Sequence, residues 1–298
     1  MSQPATSAES SSPLLVAVAW MVGTLISFTL MAIAVRELVG AIHVFEIQFF
    51  RSVGALIILA PFALAKGRAA LKTAQPKLQI VRNTVHFAAQ LGWIAGVALL
   101  PLSEVFAIEF TTPIWTALIA ALVLSERLNR GRIVALVLGF LGILVILRPG
   151  VATIEPGAFF VLGAAVGFAI TLVATKALTK TDSAMTILLY MSLIQFPIGA
   201  VMAVPVWTTP DPLQMFWLLV VGAVGLSAHF CTARALALAD ASIVIPMDFM
   251  RLPLIVLVGF LLYEESAELF VLLGAVMIFA GNYYSIRREH RQRGTAAS

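Results

Sequence analysis

Ten apolar runs follow one another along this chain with mostly short polar breaks between them. Each is near the roughly 20 residues that a helix needs to span a bilayer core. They fall at about 14–35, 44–65, 80–100, 104–124, 132–147, 156–178, 184–205, 213–235, 242–262 and 268–286. Lipid offers no hydrogen bonds to a backbone, so a spanning segment must satisfy its own amides as a helix or lie in a closed barrel. These runs are too long for barrel strands and lack their alternation. Pro101, Arg148-Pro149-Gly150, Pro205 and residues 209–212 punctuate the breaks. The fold class expected is therefore all-α, a polytopic membrane protein with ten transmembrane helices. Composition agrees: of 298 residues 61% are hydrophobic and 11% charged, against roughly 25% charged in soluble domains.

A net charge of +4 and a pI near 9.5 would suit nucleic acid, but the placement of the charges argues against it. With the N-terminus in the cytoplasm, Lys66, Arg68, Lys72, Lys77, Arg82, Arg127, Arg130, Arg132, Lys176, Lys180 and Arg234 fall on the inner side. Arg287, Arg288, Arg291 and Arg293 join them, while only Arg36 and Arg148 fall outside; Arg51 and Arg251 lie within spans. That bias predicts cytoplasmic termini in a bacterial-type inner (plasma) membrane. Residues 1–13, rich in Ser and Ala without Lys or Arg, read as a disordered cytoplasmic tail, and 287–298 as a basic one. Cys231 is the single cysteine, which excludes a disulfide framework and a cysteine metal cluster. The chain has no G-x-x-x-x-G-K-[ST], H-E-x-x-H or G-x-S-x-G, so neither ATP hydrolysis nor protease or hydrolase chemistry is expected, and no cofactor or metal.

The runs also repeat. A shift of 139 positions carries Ser103 onto Ser242, Glu109 onto Asp248, Phe110 onto Phe249, Glu126 onto Glu265 and Gly142 onto Gly281. The division expected is 14–148 for the first five helices and 149–286 for the second. Five is odd, so the second copy must enter the membrane inverted. Inverted repeats mark secondary transporters, with the site near the midplane between the copies.

The second half carries Pro253, Glu265, Gly274 and Gly281, and the first Pro113, Glu126 and Gly142, with Ala135 where its first glycine would stand. With the F-E-I-Q-F-F-R-S stretch at 45–52, this pattern resembles the drug/metabolite transporter superfamily, in particular its EamA-type ten-helix members. The resemblance implies a secondary transporter moving a small organic solute by alternating access, in the direction of amino-acid or metabolite export. A lipid bilayer and a small-molecule substrate are then the partners, with proton coupling through a buried acid. Two other classes stay open at this point: an intramembrane enzyme using buried carboxylates, and a channel or facilitator.

Charged side chains inside spans are costly and point to function by default. Glu109 and Asp248 read as proton-accepting or amine-binding carboxylates, one near each mouth of a central cavity. Asp248 has a structural alternative, since Arg251 lies three residues on and shares its helix face. Glu109 has one too, a bond to a neighbouring helix. Arg51 would hold a substrate carboxylate or, the favoured reading, neutralise Glu46 or an acid on another helix. Asn83, His86, Gln90 and Trp93, spaced by three, four and three, form one helix face. That face suits a water-lined cavity or bonds between helices, and the repeat places His229 opposite Gln90. His86 and His229 are too isolated for a metal site. Trp20, Phe28, Trp93 and Trp115 offer stacking surface or plain packing. Gly92 and Gly96, and Gly163 and Gly167, have the spacing of close helix contacts. Pro113, Pro246 and Pro253 would kink their spans beside the acids. Glu126 and Glu265, at span ends, read as solvated or capping residues.

Overall fold

A computed structural model describes residues 13–123, 130–150, 153–238, 244 and 247–296. Glu126, Ser242, Pro246 and most of the N-terminal tail, singled out above, lie outside the described residues. The elements are α1 Pro13–Leu38, α2 Val44–Lys66, α3 Pro76–Leu99, α4 Leu102–Glu109, α5 Thr112–Val123, α6 Arg130–Leu147, α7 Pro156–Leu178, α8 Ala184–Ala203 and α9 Pro212–Leu238. Two follow, α10 Arg251–Tyr263 and α11 Leu269–Ala296. The described residues form no sheet. Eight segments are long and apolar enough to cross a membrane, counting α4 and α5 as one. The polar-striped α3 and the segment that ends in α10 complete the ten.

The expected spans match these helices closely, with two differences. Span four is broken, α4 ending at Glu109 and α5 starting at Thr112. Proline at 113 cannot donate to the carbonyl of Glu109 and its ring crowds that position. The freed carbonyl instead accepts the Thr112 hydroxyl at 2.6 Å. Span nine is interrupted likewise at Phe249–Met250, four residues before Pro253. The other difference is α11, which stays helical to Ala296 rather than ending near 286.

The packing follows a two-fold pattern. Helix α1 packs on α9 and α3 on α7, two pairings that exchange when the halves are swapped; α6 with α11, α2 with α8, and α4 with α10 map onto themselves. Glycine permits the closest approach. A Cβ at Gly142 would come within 2.8 Å of the Gly274 carbonyl, and one at Gly281 within 3.1 Å of the Ala135 Cα. Those contacts are repeat-related, which makes the chain an inverted five-plus-five repeat. Gly92 and Gly96 meet Phe160 and Val161, and Gly167 meets Ala89, whereas Gly163 has open space. Leu64, Leu122 and Val201 are among the large apolar side chains turned outward, as lipid requires.

Polar contacts tie the two ends. At the end carrying the α3–α4 turn, Arg36 pairs with Glu265 and donates to the carbonyls of Val97 and Leu100. Glu265 also accepts the Leu102 amide at 2.8 Å, capping the first turn of α4 from another helix pair. At the opposite end Asp182, 7% exposed, accepts from Thr73 at 2.5 Å, Ala74 at 3.2 Å and Gln79 at 2.8 Å. Burial alone would raise its carboxyl, but these bonds, with one from Thr181, outweigh that and hold it below the usual range.

Candidate functional site

The two helix breaks bring three charges together. Arg251 opens α10 and its guanidinium reaches Asp248 at 2.6 Å and Glu109, on the other half, at 3.3 Å. Glu109 accepts in addition from the Trp93 indole at 2.7 Å. Three rings surround the guanidinium, with Phe28 at 4.3 Å, Phe110 at 5.1 Å and Phe106 at 5.6 Å from its carbon. Such faces attract a cation most when water is excluded. Phe110 and Phe249, repeat-related, lie 4.7 Å apart. Asp248 Oδ1 and Arg251 Nε are sealed from solvent without a hydrogen-bond partner, so the cluster is not fully satisfied. It holds one more carboxylate than guanidinium.

This corrects the placement of the acids. Glu109 and Asp248 do not stand at separate mouths; they share Arg251, because the broken spans four and nine meet where both acids lie. The expected Asp248–Arg251 bond is present, and Glu109 is its third member.

A second cluster sits among α2, α3 and α8. Arg51 donates to Gln48 at 3.1 Å and Gln195 at 2.8 Å. Glu46 does not neutralise it: its carboxylate caps the turn at His43 and accepts the Thr208 amide at 2.8 Å. Glu46 opens α2, and its acceptors are spent on backbone amides there. Among the described residues no carboxylate pairs with Arg51 on any helix, so the neutralising role expected for it is not what the structure has. Arg82, counted above with the loop bases, is buried in α3 and donates to Thr175 and Asn83. Gln195 joins the two arginines, donating to the Asn83 carbonyl at 3.1 Å and bonding His86 Nδ1 at 2.9 Å.

The α3 face is buried throughout, at 0, 3, 6 and 3% exposure for Asn83, His86, Gln90 and Trp93. Asn83 and His86 belong to the arginine cluster and Trp93 to the acid cluster. The Gln90 side chain, between them, makes no hydrogen bond among the described residues. His229 lies 6.4 Å from His86 and 6.0 Å from Phe28, ring to ring, so it bridges the clusters. Trp20 is apart, packed edge-on to Phe230 and under Arg234. Gln48, Gln195 and Arg82 went unread in the sequence; an amide in an apolar run is a weaker signal than a charge, and Arg82 sits close enough to a span end to pass for a loop residue.

Together these features define a polytopic α-helical membrane protein whose inverted halves meet around buried charge. The chain belongs to the EamA-like transporter family, whose model matches it twice, over residues 15–148 and 155–287, and so to the drug/metabolite transporter superfamily. It is similar to the S-adenosylmethionine uptake transporter of Rickettsia prowazekii (strain Madrid E), 25% identical over 92% of this chain and 93% of that protein. Riboflavin transporters of Brucella anthropi, 28% identical over 84% and 90%, and of Vibrio cholerae, 30% identical over 81% and 84%, are also similar. A solved crystal structure shares the fold at a TM-score of 0.63 with 14% identity, covering 93% of this chain and 98% of its own. The chain is thus a membrane transporter of small metabolites.

Proposed function

We propose that this protein is a secondary transporter of the bacterial inner membrane, with both termini cytoplasmic, that carries an amino-acid-like metabolite by alternating access. The units 14–148 and 149–286 would rock about the site between them. One observation carries the reading: Glu109 and Asp248, from opposite halves, meet on Arg251 at two helix breaks. A substrate ammonium competes with Arg251 for these carboxylates, and so does a proton. That competition couples substrate to proton without a further cofactor. The side-chain amine of a basic amino acid supplies such an ammonium, and the sulfonium of S-adenosylmethionine a comparable cation. Resemblance to the superfamily implies export, whereas the Rickettsia relatives are named for uptake, so direction is a readout of the test.

The test is counterflow in proteoliposomes against amino acids, S-adenosylmethionine and riboflavin, with sided preloading to report direction. Saturable exchange of an amine-bearing solute is expected. In Glu109→Gln it should fall sharply, and the residual flux should lose its dependence on pH between about 5.5 and 8. Flux that never saturates, or a Glu109→Gln variant with normal rate and pH profile, would overturn the proposal.

A further inference from the structure

Among the described residues the arginine cluster has no counter-charge, and buried charges are ordinarily paired. Arg51 and Arg82 are 5% and 7% exposed. The described residues place no carboxylate within ion-pair distance of either. Arg51 spends Nε and Nη2 on neutral amides, and Arg82 spends Nε and Nη1 on Thr175 and Asn83. Arg51 Nη1 and Arg82 Nη2 are left without acceptors among the described residues. Neither is among the sealed, partnerless side-chain atoms, so each keeps some accessible surface. Gly225 of α9 faces Arg51: a Cβ there would stand 3.7 Å from Nη1, in ordinary contact with it, so a larger side chain at this position would crowd that nitrogen.

We propose that Arg51 and Arg82 form an anion subsite for a carboxylate of the transported molecule, at the opposite pole from the acid cluster. Arg51 bonds Gln195, which donates to the Asn83 carbonyl, and Arg82 bonds the Asn83 side chain. One unspent donor nitrogen from each arginine thus belongs to one cluster, and a carboxylate brings two acceptor oxygens to it; a phosphate would keep further oxygens unpaired. Ring-to-ring and ring-to-guanidinium steps of 6.4, 6.0 and 4.3 Å lead from His86, beside Gln195, through His229 and Phe28 to Arg251. The substrate class that fits both poles is an elongated zwitterion, its carboxylate at Arg51 and its cationic group at Glu109 and Asp248. This rests on the transport reading above and adds the second pole to it.

The test uses the full chain in detergent, melted with and without ligand. The probes are L-lysine and S-adenosylmethionine, their decarboxylated counterparts, and inorganic phosphate. At least one carboxylate should raise the melting temperature of the wild type by several degrees more than its decarboxylated counterpart, and phosphate should not. In Arg51→Gln that difference disappears, affinity falling about tenfold or more. Ligand-free Arg51→Gln should melt no lower than the wild type, because it loses an uncompensated buried charge. Gly225→Val, which keeps the charge but fills the approach, should also lose the carboxylate effect. The proposal is lost if no carboxylate stabilises the wild type, if phosphate does so equally, or if Arg51→Gln melts lower and still distinguishes the carboxylates. Counterflow unchanged in Arg51→Gln removes the subsite and leaves the transporter. Arg51-dependent stabilisation with no counterflow of any solute leaves the subsite and removes the transporter.

Discussion

Replacing Arg251 by methionine tests the acid cluster most directly. Methionine keeps an unbranched apolar stem against Phe28, Phe106 and Phe110 but removes the charge that Glu109 and Asp248 share. Breaking a buried pair by deleting one partner costs about 3–5 kcal/mol. Here two carboxylates are stranded, though Asp248 is 29% exposed at its side chain and partly screened. Loss of the cation–ring contact, 4.3 Å to Phe28, adds about 1 kcal/mol, some of it regained through sulfur–aromatic contact. A net loss of about 4 kcal/mol corresponds to a fall in melting temperature on the order of 10 °C. Asp248→Asn should cost much less, about 1–2 kcal/mol, because Arg251 retains Glu109. The triple change Glu109→Gln, Asp248→Asn, Arg251→Met should recover most of the stability and none of the transport. Cys231, the single cysteine, is free and buried, so a fluorogenic maleimide reports unfolding on heating without an introduced cysteine. If Arg251→Met melts with the wild type, or Asp248→Asn costs as much as Arg251→Met, the shared-charge account is wrong.

Two further outcomes are expected. Asp182 lies between helices, and its carboxyl is held below the ordinary value, so its contribution is present above the unfolded pKa of about 3.9 and is lost as pH falls through the folded value. Asp182→Asn should therefore cost about 2 kcal/mol at pH 7 and progressively less below about pH 4, read from tryptophan-fluorescence melts; a cost unchanged at low pH would refute this. Glu265→Ala removes both the Arg36 partner and the cap on Leu102; it should cost about 1–3 kcal/mol. In intact cells it should also open a cysteine placed at Val105, fully buried in the wild type, to an impermeant thiol reagent from outside. Labelling only after the cytoplasmic face is exposed would reverse the orientation.

The span positions were legible because lipid leaves so few ways to satisfy a backbone, and a long apolar run has one reading. The repeat was legible through charged and glycine positions, which lipid-facing positions cannot imitate. What stayed hidden was which charges meet. Position 139 residues apart gave Glu109 and Asp248 as equivalents, and equivalents were read as lying at opposite mouths; only the two breaks show that equivalents near a two-fold axis become neighbours. Arg51 shows the same limit from the other side. A buried cation in a sequence suggests a partner acid, and nothing short of the packed helices reveals that Gln48 and Gln195 stand there instead.

The crossing of α6 and α11 bears on what joining two halves in one chain allows. Gly142 against Gly274 and Ala135 against Gly281 are one contact seen twice, between the same two half-chain positions. Two identical halves would make this contact symmetrically, with every core substitution felt on both sides of the axis at once. A single chain frees the two sides. Ala135 stands opposite Gly281 while Gly274 stands against Gly142, a difference that no symmetric dimer of identical halves could hold. The same freedom lets one half carry Glu109 and the other Asp248 and Arg251, so the centre can bear a charge pattern that symmetry would have forbidden.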